Sequence, residues 1–284
     1  MKKIILSFFF FNFLFGQNFE IKDKLTKEAI PFVDIVYYKN NEKIKFSYSD
    51  IDGNFSIEDK NFDFFTINVL GYKERKIDFL PKEKIIFLEQ DTILLKEIVI
   101  SNIKNTENIG LVYEPKIIEM SGFSGFEECL YIKNPYNYKK KVKAILFKGK
   151  YKSKSDVFIR LNFYNRQDES IFPGKELLNI NLIFNLKNLK RKNTFQIDVS
   201  EYDVLIPKEG FFVGIEYVGD KKSYGENIEI KIEHNATQLD TFTFCRNKYK
   251  LKDWIELNST FRGMNIKKID NKILNISLGV EVYE

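Results

Sequence analysis

A chain of 284 residues has room for about two domains of ordinary size, each able to bury a core. Its hydrophobic share of 44% and charged share of 30% are those of a globular protein, not a disordered one. The net charge of +5 is the difference between 45 basic and 40 acidic residues spread along the chain, which describes a soluble surface and no nucleic-acid tract.

Residues 1–16 carry two lysines, then an apolar run from Ile4 to Phe15, then Gly16 before Gln17. That is the layout of a secretory signal peptide, and the run is too short to span a bilayer. No cysteine follows the expected cut, so a lipid anchor is not indicated. The mature chain is expected to start near Gln17 and to be exported: periplasmic, outer-membrane-associated or on the cell surface. No transmembrane span is expected beyond the signal peptide.

From Phe19 onward the pattern is one of short β segments. Phe19 to Ile21 leads into a polar turn, and Pro31 marks the start of an alternating strand through Tyr38. Residues 45–57 read as a β-hairpin, with Phe46 and Tyr48 on one arm and Phe55 and Ile57 on the other. Asp52-Gly53 supplies the positive φ that a tight turn needs. Residues 64–70, 75–80 and 85–88 complete about seven strands, a small β-sandwich over residues 17–90.

Three motifs in this stretch resemble the carboxypeptidase-regulatory-like domain in order and spacing. They are Ile30-Pro31-Phe32-Val33, the run Ser49 to Ile57 around Asp52-Gly53, and Val69-Leu70-Gly71-Tyr72-Lys73. The resemblance implies a transthyretin-like sandwich serving as an accessory or scaffolding module, and no peptidase activity. Leu94 to Ile100 resembles the segment that follows this module in TonB-dependent outer-membrane receptors. Such a barrel needs about 22 strands, which the residues after Asn108 cannot supply. Residues 91–108 are therefore read as a strand and linker.

Residues 109–284 are again all β. Strands are expected at 141–151, 156–165, 178–185, 194–199, 211–218, 227–234, 241–246 and 273–282. Strict alternation in Ile228 to Glu233 suits antiparallel sheets with one wetted face. The count fits a larger, jelly-roll-like antiparallel sandwich.

The chemistry-bearing residues are few. One histidine, His234, excludes both the zinc site of a metallocarboxypeptidase and the usual Cys/His zinc sites. No Gly-x-Ser-x-Gly elbow accompanies it. Cys129 and Cys245 allow one disulfide in an oxidising compartment, or two separate buried thiols. Asp50-x-Asp52-x-Asn54 has calcium-like oxygens, but Gly53 falls at position four where an EF-hand loop needs it at six. Trp254, Tyr136 and Tyr138 are the candidate ligand platform, the tyrosines preceding Lys139-Lys140-Lys141. No catalytic residue, metal ligand or cofactor is indicated. The leading expectation is a non-enzymatic exported protein whose C-terminal sandwich binds an envelope protein or a glycan. A carboxylate-dependent glycan hydrolase is the alternative, although no carboxylate pair stands out. A small outer-membrane barrel over 110–284 is a third reading, opposed by lysines within the strands.

Overall fold

The protein is described from a computed structural model covering residues 17–78, 81–91, 105–152, 156–167, 171–189, 194–219, 229–237, 241–260 and 273–284. The expected signal peptide and the Leu94–Ile100 segment lie outside these residues. The fold is all β, as expected, and is built of four sheets.

Seven strands form the N-terminal sandwich: β1 (Gln17–Asp23), β2 (Asp34–Lys39), β3 (Glu42–Tyr48), β4 (Asn54–Ile57), β5 (Phe64–Asn68), β6 (Arg75–Ile77) and β7 (Ile85–Leu88). Sheet I has the order β4-β1-β7 and sheet II the order β3-β2-β5-β6. Pairing is antiparallel except between β1 and β7. Phe19 and Ile21 of β1 and Ile35 and Tyr37 of β2 meet between the two sheets in one core.

The Asp52-Gly53 turn is present, but the hairpin expected around it is not. β3 pairs with β2 in sheet II and β4 pairs with β1 in sheet I, so the turn carries the chain from one sheet to the other. Asp50 holds this corner, its Oδ1 accepting from the backbone N–H groups of Asp52 and Asn54. The carboxylate that looked like a calcium ligand is thus spent on the turn. A groove of about 670 Å³ opens where the two strands diverge. The β3 side of it carries Lys45, near an irregularity in pairing at Tyr37/Tyr38, features that discourage addition of a further strand.

Asp23, at the end of β1, ties the turn after β1 to Tyr72 and to Gln90 beyond β7. Its carboxylate accepts from the N–H of Leu25 and Thr26, from Tyr72 Oη at 2.9 Å and from Gln90 Nε2 at 2.6 Å. The Thr26 N–H is the main cause, helped by Gln90, Leu25 and Tyr72 against the opposing effect of burial, of a carboxyl held down at about 2. A carboxyl lowered on folding stabilises above its unfolded value and loses that contribution as pH falls through the folded one. Asp23→Asn is therefore expected to remove about 2 kcal/mol at neutral pH. The gap to the parent should close between about pH 4 and pH 2, as urea titrations at stepped pH will show.

The C-terminal sandwich contains β8 (Thr106–Gly110), β9 (Lys116–Ser121), β10 (Phe126–Ile132), β11 (Lys140–Lys152), β12 (Phe158–Arg166), β13 (Pro173–Glu176), β14 (Leu182–Asn185), β15 (Thr194–Asp198), β16 (Leu205–Ile206), β17 (Phe211–Val218), β18 (Glu229–Thr237), β19 (Thr243–Asn247), β20 (Ile255–Glu256), β21 (Ile273–Ile276) and β22 (Leu278–Tyr283). Sheet III runs β13-β12-β17-β10-β19-β20, with β14 also on β12; sheet IV runs β21-β18-β11-β22-β8, with β9, β15 and β16 attached. Thr106 to Asn108, read from the sequence as linker, already pair with β22. Three of the β11 lysines that opposed a membrane barrel meet carboxylates, Lys141 with Asp203, Lys143 with Glu281 and Lys150 with Glu119, while Lys148 lies over the Tyr113 ring.

Sheets III and IV enclose the larger core, to which β12 contributes Ile159, Leu161 and Phe163, and β17 contributes Phe211, Val213, Ile215 and Tyr217. All eight residues of β17 are buried, so its other face is covered too. Sheet II covers it. Phe32, Phe46 and Tyr48 of the N-terminal sandwich pack on Val218, with Phe158 and Tyr249 alongside. The four sheets therefore stack as successive layers, I on II, II on III, III on IV.

Candidate functional site

The second face of sheet III carries the densest set of charged groups, and the register explains why. Strand alternation sends Arg160 and Asn162 of β12, Glu216 of β17, Glu127 of β10 and Arg246 of β19 away from the core. Arg160 stands opposite Glu216, Glu216 opposite Glu127, and Glu127 opposite Arg246. Four adjacent strands thus present one row with charges plus, minus, minus, plus. The two central carboxylates would repel each other if left alone. One amide nitrogen, Asn162 Nδ2, bridges them at 2.8 Å to Glu127 Oε1 and 2.9 Å to Glu216 Oε2. Gly214 leaves room for this arrangement, since a Cβ there would lie 2.5 Å from Glu127 Oε1.

The N-terminal sandwich completes the row from above. Asp34 of β2 accepts from Arg160 Nη1 at 2.9 Å and from Lys248 Nζ at 2.8 Å. Lys248, which opens a 3-10 turn capped by the Asn247 side chain, also reaches Glu216 Oε1 at 2.8 Å. Tyr48 donates its hydroxyl to the same carboxylate, and Arg160 Nη2 donates to the Phe32 carbonyl. Three carboxylates, Asp34, Glu127 and Glu216, face three cations, Arg160, Arg246 and Lys248. Burial alone would push the Glu216 carboxyl up, but Lys248, Arg160 and Arg246 together outweigh it and hold it well below the usual carboxylate range. Burial works against the Arg160 guanidinium, yet Glu216, Asp34 and Tyr48 keep it charged. A cavity of about 40 Å³ remains beside Asp34, Asn162, Arg246 and Lys248, room for roughly three waters.

Beyond the charged row the same face becomes aromatic. Tyr164, Phe212, Tyr131 and Phe244 cluster with Cys129, Phe242 and Trp254. Arg246 joins the two regions. It donates to Glu127 at 2.8 Å and to the Tyr164 hydroxyl at 3.0 Å, while its guanidinium carbon lies 4.2 Å from the Trp254 ring centre.

Of the expected platform residues, only Trp254 is here. Tyr136 and Tyr138 belong to the loop between β10 and β11, where they flank the Lys140 ammonium at 4.2 and 5.5 Å from their ring centres. Lys140 is itself buried and paired with Glu107. The tyrosine-lysine run is thus a packed loop, and the three aromatics do not form one surface. Asp52 and Gly53 lie at the corner between sheets I and II.

Cys129 and Cys245 are both free and buried, so the disulfide allowed by the sequence is not made. Cys129 stands opposite Phe244 and Cys245 opposite Glu128, which places the thiols on opposite faces of sheet III. Burial, reinforced by Glu127, raises the Cys129 thiol well above its ordinary value, and burial with Glu128 raises Cys245 to about 12. Neither is a poised nucleophile. The native protein is expected to leave both thiols unreacted with an aromatic disulfide reagent at pH 8, and to release two equivalents on denaturation.

His234 is fully buried between sheets IV and III, with Nε2 2.7 Å from Glu128 Oε1 and Nδ1 3.1 Å from the Ile232 carbonyl. Among the described residues, no group of three or more His, Cys, Asp or Glu side chains is placed to hold a metal ion, and no helix is long and apolar enough to cross a membrane.

No family model matches this chain, and no curated protein matches it. Two solved structures are similar to it. The first contains the cysteine protease and lectin-like domains of Cwp84, a surface layer associated protein of Clostridium difficile, with 8% identity and a TM-score of 0.39. That match covers 89% of this chain, which spans 58% of the other. The second is a cysteine-to-alanine form of the same clostridial cysteine protease after propeptide cleavage, with 9% identity, a TM-score of 0.39, and coverage of 94% of this chain and 70% of that one. A likeness of this degree carries no functional argument.

Proposed function

We propose that this chain is an exported, non-enzymatic protein of the cell envelope or surface. In this reading its N-terminal sandwich is an accessory module of the carboxypeptidase-regulatory-like kind, and its C-terminal sandwich binds a protein or a glycan. One observation carries the choice between binding and catalysis. The carboxylate pair a glycan hydrolase would need, Glu127 and Glu216, is neutralised by Arg160, Arg246 and Lys248 and roofed by sheet II. The space left beside it, about 40 Å³, is far below the ~300 Å³ at the lower end of ligand pockets. General acid-base catalysis needs a group within reach of substrate and titrating near the working pH. Glu216 has neither property. The charged row instead serves as a clasp between the two sandwiches, with Asp34 and Tyr48 of the first reaching Arg160, Lys248 and Glu216 of the second.

The test is a glycan array run together with a hydrolysis assay on the purified protein, followed by cross-linking in envelope preparations. Binding without turnover, or a cross-linked envelope protein, is the expected result. Product release that follows the protein through repurification, and is abolished by Glu127→Gln, would overturn the reading.

A further inference from the structure

Glu176 belongs to β13, the edge strand of sheet III, and stands opposite Tyr164 of β12. Facing residues of an antiparallel pair point to the same side of the sheet, so Glu176 joins the face that carries Arg160, Asn162 and Tyr164. There it lines the cavity of about 40 Å³ at the junction of the two sandwiches, together with Asp34 and residues 68–70 of the first. Every cation of the row is already taken. Arg160 and Lys248 each meet Asp34 and Glu216, and Arg246 meets Glu127, all within 3.3 Å. Among the described residues no hydrogen bond or ion pair engages the Glu176 carboxylate. Three carboxylates and three cations balance, and Glu176 is a fourth negative charge with no cation left for it. A carboxylate set against a cavity wall loses part of its water, and without a donor nothing replaces it. Burial accordingly raises the Glu176 carboxyl above its ordinary value; Lys248 and Arg246 oppose the rise, and Glu127 and Asp34 add to it. At the sheet edge Glu176 keeps an exposed surface, so the effect is small beside that of the buried pairs.

We propose that Glu176 makes the junction between the two sandwiches responsive to acid: a proton taken up there removes the surplus negative charge and tightens the clasp in mildly acidic surroundings. The sign is opposite to that of Asp23 and Glu216. A carboxyl raised on folding opposes folding while it is ionised, and the opposition fades as pH falls through its folded value toward the ordinary ~4.3. Glu216, held low by its three cations, stays ionised over that range, so the row itself keeps its charges while Glu176 loses its own. The response does not depend on what the C-terminal sandwich binds.

The parent protein, Glu176→Gln and Glu176→Asp are compared by thermal unfolding at stepped pH between about 7.5 and 4.3. Taking each variant against the parent at the same pH cancels the titration of Asp23 and Glu216. At the neutral end Glu176→Gln is expected to melt about 2 °C above the parent, and the gap should close by about pH 4.3. Glu176→Asp keeps the charge and should show no such gain. Amide exchange in residues 68–70, which line the same cavity, should slow about twofold in the glutamine variant at the neutral end alone. A glutamine variant that melts at or below the parent at neutral pH overturns the proposal, because the carboxylate would then be helping the fold. A gain of equal size at both ends of the range overturns it as well, since that marks better packing and no titration. An equal gain in Glu176→Asp does the same, by showing that charge is not the cause.

Discussion

Arg160→Met is expected to lower the unfolding free energy by about 3–5 kcal/mol, the largest effect of any single substitution in the clasp. The guanidinium is almost fully buried and touches Asp34, Glu216, Asn181 and the Phe32 carbonyl, so its loss leaves two buried carboxylates to share Lys248. Removing the charge of Glu216 as well should help. In Arg160→Met/Glu216→Gln the remaining ions form two balanced pairs, Asp34 with Lys248 and Glu127 with Arg246. The glutamine still accepts from Tyr48. The double variant should therefore be more stable than Arg160→Met alone by at least about 1 kcal/mol in guanidinium chloride titrations. Singles that simply add would mean the charges act independently, and the clasp would lose its electrostatic basis. The pH dependence follows from the same carboxylate. Glu216 is lowered on folding, so its contribution is complete above the ordinary carboxylate range and declines as pH falls below about 4.3. Because the folded value lies far lower, the carboxylate stays ionised in the folded protein well into that range, and the two sandwiches should remain joined until the whole chain unfolds.

Gly53→Ala is expected to cost about 3 kcal/mol, and Asp52→Ala less than about 0.5 kcal/mol. The two neighbours contribute equally to the turn signature in the sequence, yet the structure separates their roles. Gly53 has φ +76°, and a Cβ there would lie 2.6 Å from the Ile21 carbonyl of β1, with Ile30 on its other side. The strain and the clash both fall on backbone that cannot step aside, because Ile21 N–H donates to the Gly53 carbonyl at 2.9 Å. Asp52 is exposed, and the Asx contacts at this corner are made by Asp50. Thermal unfolding of the two alanine variants distinguishes these roles. Similar losses would show that the corner depends on the dipeptide and not on the close approach to β1.

Much of the architecture was legible because strand alternation is a local signal. Ile35 and Tyr37, or Ile159, Leu161 and Phe163, mark a core-facing side wherever their partners lie. The eight expected C-terminal segments all contain strands, and the N-terminal segment forms a seven-stranded sandwich. β10 escaped notice for a physical reason. Phe-Glu-Glu-Cys-Leu-Tyr-Ile has adjacent glutamates, one on each face, and reads as polar loop when a single buried face is assumed. In the fold Glu127 joins the charged row and Glu128 meets His234, so both faces are buried. The hairpin reading failed in a related way. Asp52-Gly53 specifies a turn, but nothing within residues 45–57 specifies whether the arms pair with each other or with β2 and β1.

The sequence by itself determined the all-β class, the seven-stranded first sandwich and the glycine-dependent turn, since each depends on residue types and spacings within a few positions. The tertiary structure alone decided the clasp, the burial of His234 and the separation of the two thiols. Asp34, Glu127, Arg160, Glu216 and Lys248 are more than 200 residues apart at their extremes, and each looks locally like an ordinary surface charge. Only the docking of sheet II on sheet III removes them from water, and that loss of solvent joins them, with Arg246, into one network of six ions.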